Sequence, residues 1–252
     1  MAPCFTSIGG VQREKSSLIG GVGGVQRELA SAVAGIGGVQ REIFGPKGVA
    51  LSTFAVGSIV KLNENGSPVE FYVANHDYDS GLNGSGRTLL VRKDCYDTRA
   101  WGSSMYSVDY AGSSISSWLN STYKALLDAD VQNLIGTTKF YYTADNTSTS
   151  VSTMSRAIFI LSVKELGKTS SFVNTEGSSL GLGSILQKVY LNGSAVAQWT
   201  RSPRQNASTV CAISSSGNVT SKSATTVYGS RPCFTLPSTA IFDPDTLQFI
   251  SA

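Results

Sequence analysis

The side chains that could carry catalytic or metal chemistry are few in this sequence. His76 is the one histidine, and the four cysteines, Cys4, Cys95, Cys211 and Cys233, include no Cys-x-x-Cys pair. A single histidine excludes a multi-histidine metal site and weakens any Ser-His or Cys-His nucleophile. Widely spaced cysteines argue against a zinc site and a dense disulfide scaffold, so four free thiols are expected. The sequence therefore predicts no catalytic residue, no metal ligand and no cofactor, in a protein that is not an enzyme.

Acidic pairs and one glycine-rich stretch are the other candidates for a site. Asp77 and Asp79 could coordinate calcium, but Asp-x-Asp pairs are common in loops and rarely form a calcium site by themselves. We interpret the adjacent His76 as a structural or surface residue. Residues 81–86 lack the Gly-Lys-Ser/Thr end of a phosphate-binding loop and are predicted to form a flexible turn. Asp243-Pro-Asp245 is also typical of a turn.

The composition favours a β-rich protein with a polar but weakly charged surface. Charged residues make up 15% of the chain and the net charge is +3. Hydroxyls and amides must therefore solvate much of the surface. A net charge this small does not argue for nucleic acid or an anionic membrane, and no apolar run is long enough for a transmembrane helix. We predict no nucleic-acid partner and no membrane insertion.

The N-terminal segment is built from a 14-residue repeat. The sequence from Ile8 to Glu14, Ile-Gly-Gly-Val-Gln-Arg-Glu, returns in closely similar form at residues 22–28 and 36–42. Each unit could form a short helix, or one strand and a turn, and the pattern leaves both open. Such units bury too little apolar surface to fold alone. We therefore expect this segment to pack against other chains.

The 14-residue repeats end at Gly45-Pro46, and we predict a domain boundary there. Residues 1–47 are predicted to be an anchor or oligomerisation segment, and residues 48–252 a separate domain. The predicted domain is α+β, with small antiparallel sheets, one or two helices and long loops. Its predicted elements are strands at 58–63, 69–74, 88–93, 157–161, 198–200 and 233–236, a hairpin turn at 63–66, and a helical region at 114–135 closed by Gly136 with a break near Asp128. Its predicted core includes Trp118, Leu119, Leu126, Ile135 and Trp199.

The C-terminal stretch divides into a framework and two polar intervals. Aromatic residues, prolines and glycines cluster at residues 199–203, 216–219 and 228–237. The two polar intervals are residues 204–209 and 220–226, and their side chains are mostly small and polar. Small polar positions on a rigid framework are typical of adaptable binding surfaces. Arg201 and Arg231 are expected to fix the loops by internal hydrogen bonds, while Trp199 or Tyr228 offers an aromatic platform. The predicted ligand-binding residues are Arg204, Gln205, Asn206, Ser208, Thr209, Ser221, Lys222, Ser223, Thr225, Thr226 and Tyr228.

This C-terminal pattern resembles a known group of domains. The start Trp199-x-Arg-Ser-Pro203 and the close Gly229-x-Arg-Pro-x-Phe-x-Leu-Pro237 are similar to those of C-type-lectin-like domains of the formylglycine-generating-enzyme type, common in gut bacteria and their phages. Several relatives are targets of diversity-generating retroelements, which randomise the interval between these landmarks. Neither Cys211 nor Cys233 lies in a catalytic cysteine pair, so the resemblance implies the fold of that enzyme without its chemistry.

The resemblance implies a bacteriophage tail or capsid appendage protein, made in the bacterial cytoplasm and carried on the virion. It would be a receptor-binding protein that recognises a cell-surface glycan or protein of the host. Residues 1–47 would bind other virion proteins in a homo-oligomer, with a trimer favoured. The alternative is a purely structural virion protein, such as a capsid decoration or tail component, and a glycan hydrolase ranks third. The two polar intervals are expected to meet on one exposed face, distal to the N-terminus.

Overall fold

The computed structural model describes residues 48–251, together with six short strands in the N-terminal segment between residues 6 and 42. Contacts between Cα atoms divide the chain into two units. The first contains Met1–Val49 and Asp243–Thr246, and the second contains Ala50–Phe242 and Leu247–Ala252. That residues 1–47 pack against other chains stays a prediction.

In the first unit the 14-residue repeats form antiparallel strand pairs. Ile8 pairs with Val11, Val22 with Val25, and Ile36 with Val39, so each repeat contributes the same pairing. Of the two alternatives left open by the sequence, the strand is the one found. The six strands are β1 (Thr6–Ile8), β2 (Val11–Arg13), β3 (Ile19–Val22), β4 (Val25–Glu28), β5 (Val33–Ile36) and β6 (Val39–Glu42).

The remaining elements follow in chain order. The strands are β7 (Val49–Ala50), β8 (Ile59–Glu64), β9 (Ser67–His76), β10 (Arg87–Arg92), β11 (Asp97–Ala100), β12 (Thr138–Tyr142), β13 (Ser152–Arg156), β14 (Val189–Leu191), β15 (Ser194–Val196), β16 (Gln198–Pro203), β17 (Val210–Ile213), β18 (Val219–Lys222), β19 (Val227–Ser230), β20 (Cys233–Pro237), β21 (Ile241–Phe242) and β22 (Phe249–Ser251). The α-helices are α1 (Ser80–Asn83), α2 (Ser114–Trp118), α3 (Ala129–Leu134) and α4 (Ser184–Gln187).

Two sheets organise the second unit. One has four antiparallel strands in the order β20-β10-β9-β8. The other has five strands in the order β11-β19-β16-β17-β18, in which only the short contact between β16 and β19 is parallel. With few helices and mostly small antiparallel sheets, the architecture is α+β, as the sequence predicts.

The hairpin predicted at residues 63–66 is present. Asn65 and Gly66 have φ angles of 53° and 71° and join β8 to β9. Both angles lie in the left-handed region, which asparagine and glycine tolerate best, and a pair of them matches the twist of the flanking strands. The turn predicted at Asp243 is also confirmed, since its Oδ1 accepts the N–H groups of Asp245 and Thr246 at 2.8 and 3.0 Å.

The helical region is more broken than the sequence predicts. After α2, residues Leu119–Tyr123 form a π-helical turn and Lys124–Leu126 a 3-10 turn, and α3 begins only after Asp128. Asn120 provides the physical reason for the π turn. Its side chain donates to the carbonyls of Ser116 and Ile158 and accepts the N–H of Ile158, which ties the helix to a distant segment.

The strand predicted at residues 157–161 is wrong. Only Phe159 makes a strand-like bridge, to Cys233. Side chains satisfy the backbone instead, because Tyr110 accepts the N–H of Ile160 and Arg201 donates to its carbonyl. An apolar run can therefore be buried without a ladder when polar side chains reach its peptide groups.

Predicted core residues are buried to different degrees. Leu119, Ile135 and Trp199 are buried, at 0%, 7% and 1% exposure. Trp118 and Leu126 are only partly buried against the core, so their prediction as core residues is too strong. Arg99 covers Trp118 with its guanidinium 3.1 Å from the ring centroid. Within the described residues, no helix is both long and apolar enough to span a membrane.

Candidate functional site

Strand β16 is the structural basis of the candidate site, and its side chains are buried throughout. Arg201 is 0% exposed and forms a two-pronged ion pair with Glu165, with N–O distances of 2.6 and 2.7 Å. It also donates to the carbonyls of Tyr141 and Ile160. The predicted internal role of Arg201 is confirmed, because it joins β16 to β12 and to the stretch 160–165.

Two neighbours of Arg201 on β16 also donate hydrogen bonds inside the protein. Thr200 donates its hydroxyl to the carbonyl of Cys211 at 2.7 Å, and Ser202 donates to Glu176. Glu176 also accepts the N–H of Thr143 at 2.6 Å, and burial raises the pKa of this carboxyl. Polar side chains in this strand thus position loops rather than face solvent.

Arg231 has the corresponding role for the other sheet. It donates to the carbonyls of Arg92, Lys93 and Leu186 at 2.7 to 2.8 Å and is 3% exposed. Burial lowers the pKa of Arg231 to about 10, because carbonyl dipoles compensate its charge less than a carboxylate would. Its predicted internal role is likewise confirmed.

The two polar intervals meet at one end of the five-stranded sheet. Val210 pairs with Lys222 where β17 begins and β18 ends, which places residues 204–209 beside residues 222–226. Arg204 links them directly, because its Nη1 donates to the Ser221 hydroxyl at 3.1 Å. The two intervals therefore converge, as the sequence predicts. That their common face is distal to the N-terminus stays a prediction.

Exposure varies among the predicted binding residues. Asn206, Ser208, Lys222 and Thr225 are exposed, as expected. The remaining seven are only partly exposed: Arg204, Gln205, Thr209, Ser221, Ser223, Thr226 and Tyr228. The expectation that Arg204, Gln205 and Ser223 are solvent-exposed is therefore wrong.

Internal contacts explain the lower exposure of the first interval. Arg204 stacks on Phe172 with its guanidinium 4.7 Å from the ring centroid, and the backbone of Gln205 donates to the Phe172 carbonyl. Among the described residues, Gln205 Nε2 and Thr209 Oγ1 are buried without any hydrogen-bond partner. Unpaired buried polar groups are uncommon and costly, so these two atoms reduce the stability of the interval.

The predicted aromatic platform is partly wrong. Trp199 cannot stack on a ligand, because it is 1% exposed and donates its indole N–H to the Arg99 carbonyl at 2.9 Å. Tyr228 packs on it with ring centroids 4.9 Å apart and keeps part of its surface accessible. The most exposed large hydrophobic side chain in the described part of the chain is instead Tyr106, at 73%. Its polar surroundings in the sequence resemble those of any loop, so nothing local singles it out.

His76 is bonded through both ring nitrogens, as a structural histidine would be. Its Nε2 donates to the Phe54 carbonyl at 2.9 Å, which leaves Nδ1 to accept from Thr88 at 2.9 Å. Asp77 accepts the N–H of Gly86, and one oxygen of Asp79 is buried without a partner in the described residues. Across the part of the chain that the structure describes, no three His, Cys, Asp or Glu side chains are grouped to hold a metal ion.

The three described cysteines, Cys95, Cys211 and Cys233, are free and buried. Burial raises the pKa of the Cys95 and Cys211 thiols to about 12 and that of Cys233 well above its ordinary value. The predicted free thiol of Cys4 lies outside the described residues. Because the thiolate is the reactive form, these buried thiols should be inert at neutral pH.

In a Cys4→Ser variant we expect no rapid thiol reaction with an aromatic disulfide reagent at about pH 8, where a thiol of such high pKa is almost wholly protonated. The same variant in denaturing urea should release one equivalent of chromophore for each of Cys95, Cys211 and Cys233. The absorbance of the released aromatic thiolate measures the reaction in the native and in the denatured protein. One thiol that reacts in the native protein as fast as free cysteine would show that its burial is misassigned.

A family model described as "Domain of unknown function (DUF6273)" matches residues 85–238, a range that contains both polar intervals, the five-stranded sheet, and strands β10 and β20 of the four-stranded sheet. No curated protein matches the chain, and no solved structure matches it.

Proposed function

The chain belongs to the DUF6273 family of domains of unknown function, and we propose that it is a receptor-binding protein carried on a bacteriophage particle. Its second unit would be a C-type-lectin-like domain that recognises a glycan or protein on the bacterial surface. The observation that carries the proposal is the meeting of two polar intervals at one end of a sheet whose central strand is fixed by buried hydrogen bonds. Binding surfaces are commonly built from such loops on a rigid scaffold.

Exposed side chains with donors and acceptors are the working part of this surface. Asn206, Ser208, Lys222 and Thr225 contribute an amide, two hydroxyls and an ammonium group. Such groups form directional hydrogen bonds at little cost to the fold, and the partly exposed ring of Tyr228 adds apolar area beside them.

The attachment of the protein to a particle is proposed from the N-terminal repeats. Each of the three repeats contributes the same strand pairing, Ile8 with Val11, Val22 with Val25, and Ile36 with Val39. Isolated two-stranded hairpins are only marginally stable in water without further packing. In the proposal the repeats associate with other virion proteins and with further copies of this chain, a trimer being favoured. The protein would then be made in the bacterial cytoplasm and function on the virion.

Loss of cell binding in a surface variant tests the proposal. The full chain carrying Asn206→Ala, Ser208→Ala, Lys222→Ala and Thr225→Ala should bind whole bacterial cells at least about tenfold more weakly than the parent. Fluorescently labelled protein and flow cytometry over a panel of bacterial strains measure this. Thermal unfolding should reveal only a small loss of stability, because exposed polar substitutions usually alter stability by less than about 0.5 kcal/mol. Asn206→Ala should account for most of that loss, since Asn206 has a φ of 56°, which asparagine tolerates better than alanine.

The same hairpin offers a matched control at its other end. Ser215, Ser216 and Asn218 are exposed in the turn that joins β17 to β18, and the exposed Lys188 lies beside Gly217. Alanine at these four positions removes the same kinds of groups and should leave cell binding unchanged. Equal loss in both variants, or binding to no strain by the parent, would contradict the proposal.

A purely structural virion protein is the second candidate. The partial burial of the first interval favours it, since Arg204 is engaged with Phe172 and Ser221 rather than directed only at solvent. In that case the second unit is a spacer, and both alanine variants should assemble into particles and infect as the parent does.

A further inference from the structure

Beside the first polar interval lies a cleft that the predicted binding residues do not include. It has a volume of about 320 Å³ and lies between the loop that carries Tyr106 and Asp109 and the loop that carries Asp145 and Asn146. The carbonyl of Asn146 accepts the N–H of Asn206 at 2.8 Å, so the cleft adjoins the proposed binding surface. A ligand bound in the cleft would therefore also lie within reach of the proposed binding surface.

Tyr106 forms an exposed aromatic wall of this cleft on an anchored loop. Two residues further on Val108 is 5% exposed, and Tyr110 is fully buried, where its hydroxyl accepts the N–H of Ile160. Met105, next to Tyr106, is 52% exposed. An exposed aromatic ring on an anchored loop can bury its apolar face against a partner without reordering the loop.

Two oriented carboxylates line the same cleft. Asp109 uses Oδ1 to accept the N–H of Ala111, and Asp145 uses Oδ1 to accept from Thr147 and Ser148. Among the described residues neither Oδ2 atom has a hydrogen-bond partner. The hydrogen bonds from Thr147, followed by those from Ser148, lower the pKa of Asp145, so this carboxylate is ionised at neutral pH. Both side chains are fixed through one oxygen and can accept from a ligand through the other.

The chemistry of the cleft selects among ligands. No Lys or Arg is among the residues that line it, so an anionic sugar or phosphate would meet two carboxylates without a compensating charge. A pyranose ring has an apolar C–H face and a rim of hydroxyl donors. The first matches an aromatic ring, and the second matches carboxylate and amide acceptors.

We propose that this cleft binds a neutral pyranose unit of a bacterial surface polysaccharide, with its C–H face on Tyr106 and its hydroxyls donating to Asp109 and Asp145. This inference rests on the proposed function and names its ligand class. Residues 204–209 and 222–226 then contact the neighbouring sugars of the same polymer.

Saturation-transfer NMR with the full chain tests the inference. The probes are neutral oligosaccharides ending in glucose, galactose, mannose, rhamnose or N-acetylglucosamine, with a sialylated oligosaccharide and an oligolysine peptide as comparisons. We expect transfer to ring C–H protons of at least one neutral probe and none to the sialic acid residue of the sialylated one. Tyr106→Ala should abolish this transfer, Tyr106→Phe should retain it, and Asp145→Asn should weaken binding at least about tenfold.

Tyr190 supplies the control, because it is also exposed, at 44%, in strand β14 outside the cleft. Tyr190→Ala should leave the saturation transfer unchanged. If no neutral probe binds, or only oligolysine binds, the sugar site is wrong. If cells are still bound through Asn206 and Lys222 in that case, the proposed function stands without it. If a neutral sugar binds through Tyr106 but the protein binds no cells, the sugar site stands and only the receptor role is contradicted.

Discussion

Replacing Arg201 by methionine is expected to lower the free energy of unfolding by about 3–5 kcal/mol, because it leaves Glu165 charged, buried and without its partner. Both side chains of the pair are at most 1% exposed, so water cannot take over the lost hydrogen bonds. Chemical denaturation monitored by fluorescence measures the loss. We also expect weaker cell binding, since Arg201 joins the segments that support the binding surface.

Lys93 offers a matched control on the surface. Its ammonium group lies 2.6 Å from Glu70, but the two side chains are 37% and 40% exposed. Lys93→Met should therefore cost at most about 1 kcal/mol. The double variant Arg201→Met with Glu165→Met should recover part of the single-variant loss, since it removes both buried charges. A loss below about 1 kcal/mol for Arg201→Met would mean that the pair does not hold the strand in place.

Trp101→Ala is the second substitution with a large expected effect, a loss of about 3–5 kcal/mol in the free energy of unfolding. Trp101 is fully buried, and its indole N–H donates to the Thr200 carbonyl at 3.0 Å. Its backbone N–H also donates to the carbonyl of Ala224, within the second polar interval. The cavity left by the ring should therefore loosen the binding surface as well as the core.

Trp118→Ala is the comparison for Trp101→Ala. From the sequence, Trp118 is the tryptophan expected in the core of the helical region, but it is only partly buried, with Arg99 over its ring. We expect a loss of about 1–2 kcal/mol, because part of its surface remains in water when folded. Equal losses for the two variants in urea titrations would contradict this assignment of burial.

Local features of the fold could be predicted from the sequence because their causes are local. Asn65-Gly66 specifies a turn through its own backbone preferences, and the alternating residues on either side specify β8 and β9. Arg201 and Arg231 were predictable as internal residues because each lies among aromatic residues and prolines in a framework segment. The α+β class follows from the same short patterns.

Burial and side-chain partners depended on residues far away in the chain. The segment 157–161 has the composition of a strand, but it pairs with β20 only at Phe159. Side chains of Asn120, Tyr110 and Arg201 bind its other peptide groups. Trp199 is a residue type that often stacks on ligands, yet its ring is buried and its indole N–H donates to the Arg99 carbonyl. No periodicity in these segments records such contacts, because their partners are distant in sequence.

By itself, the sequence determined the repeats, the hairpin, the framework and the polar character of the two intervals. Only the tertiary structure decided that Arg204 is committed to Phe172, and that the loop of Tyr106 and the loop of Asp145 enclose one cleft beside Asn206. The physical reason is that composition and spacing encode what a segment can do. What it does do depends on which distant groups satisfy its hydrogen bonds and cover its apolar surface.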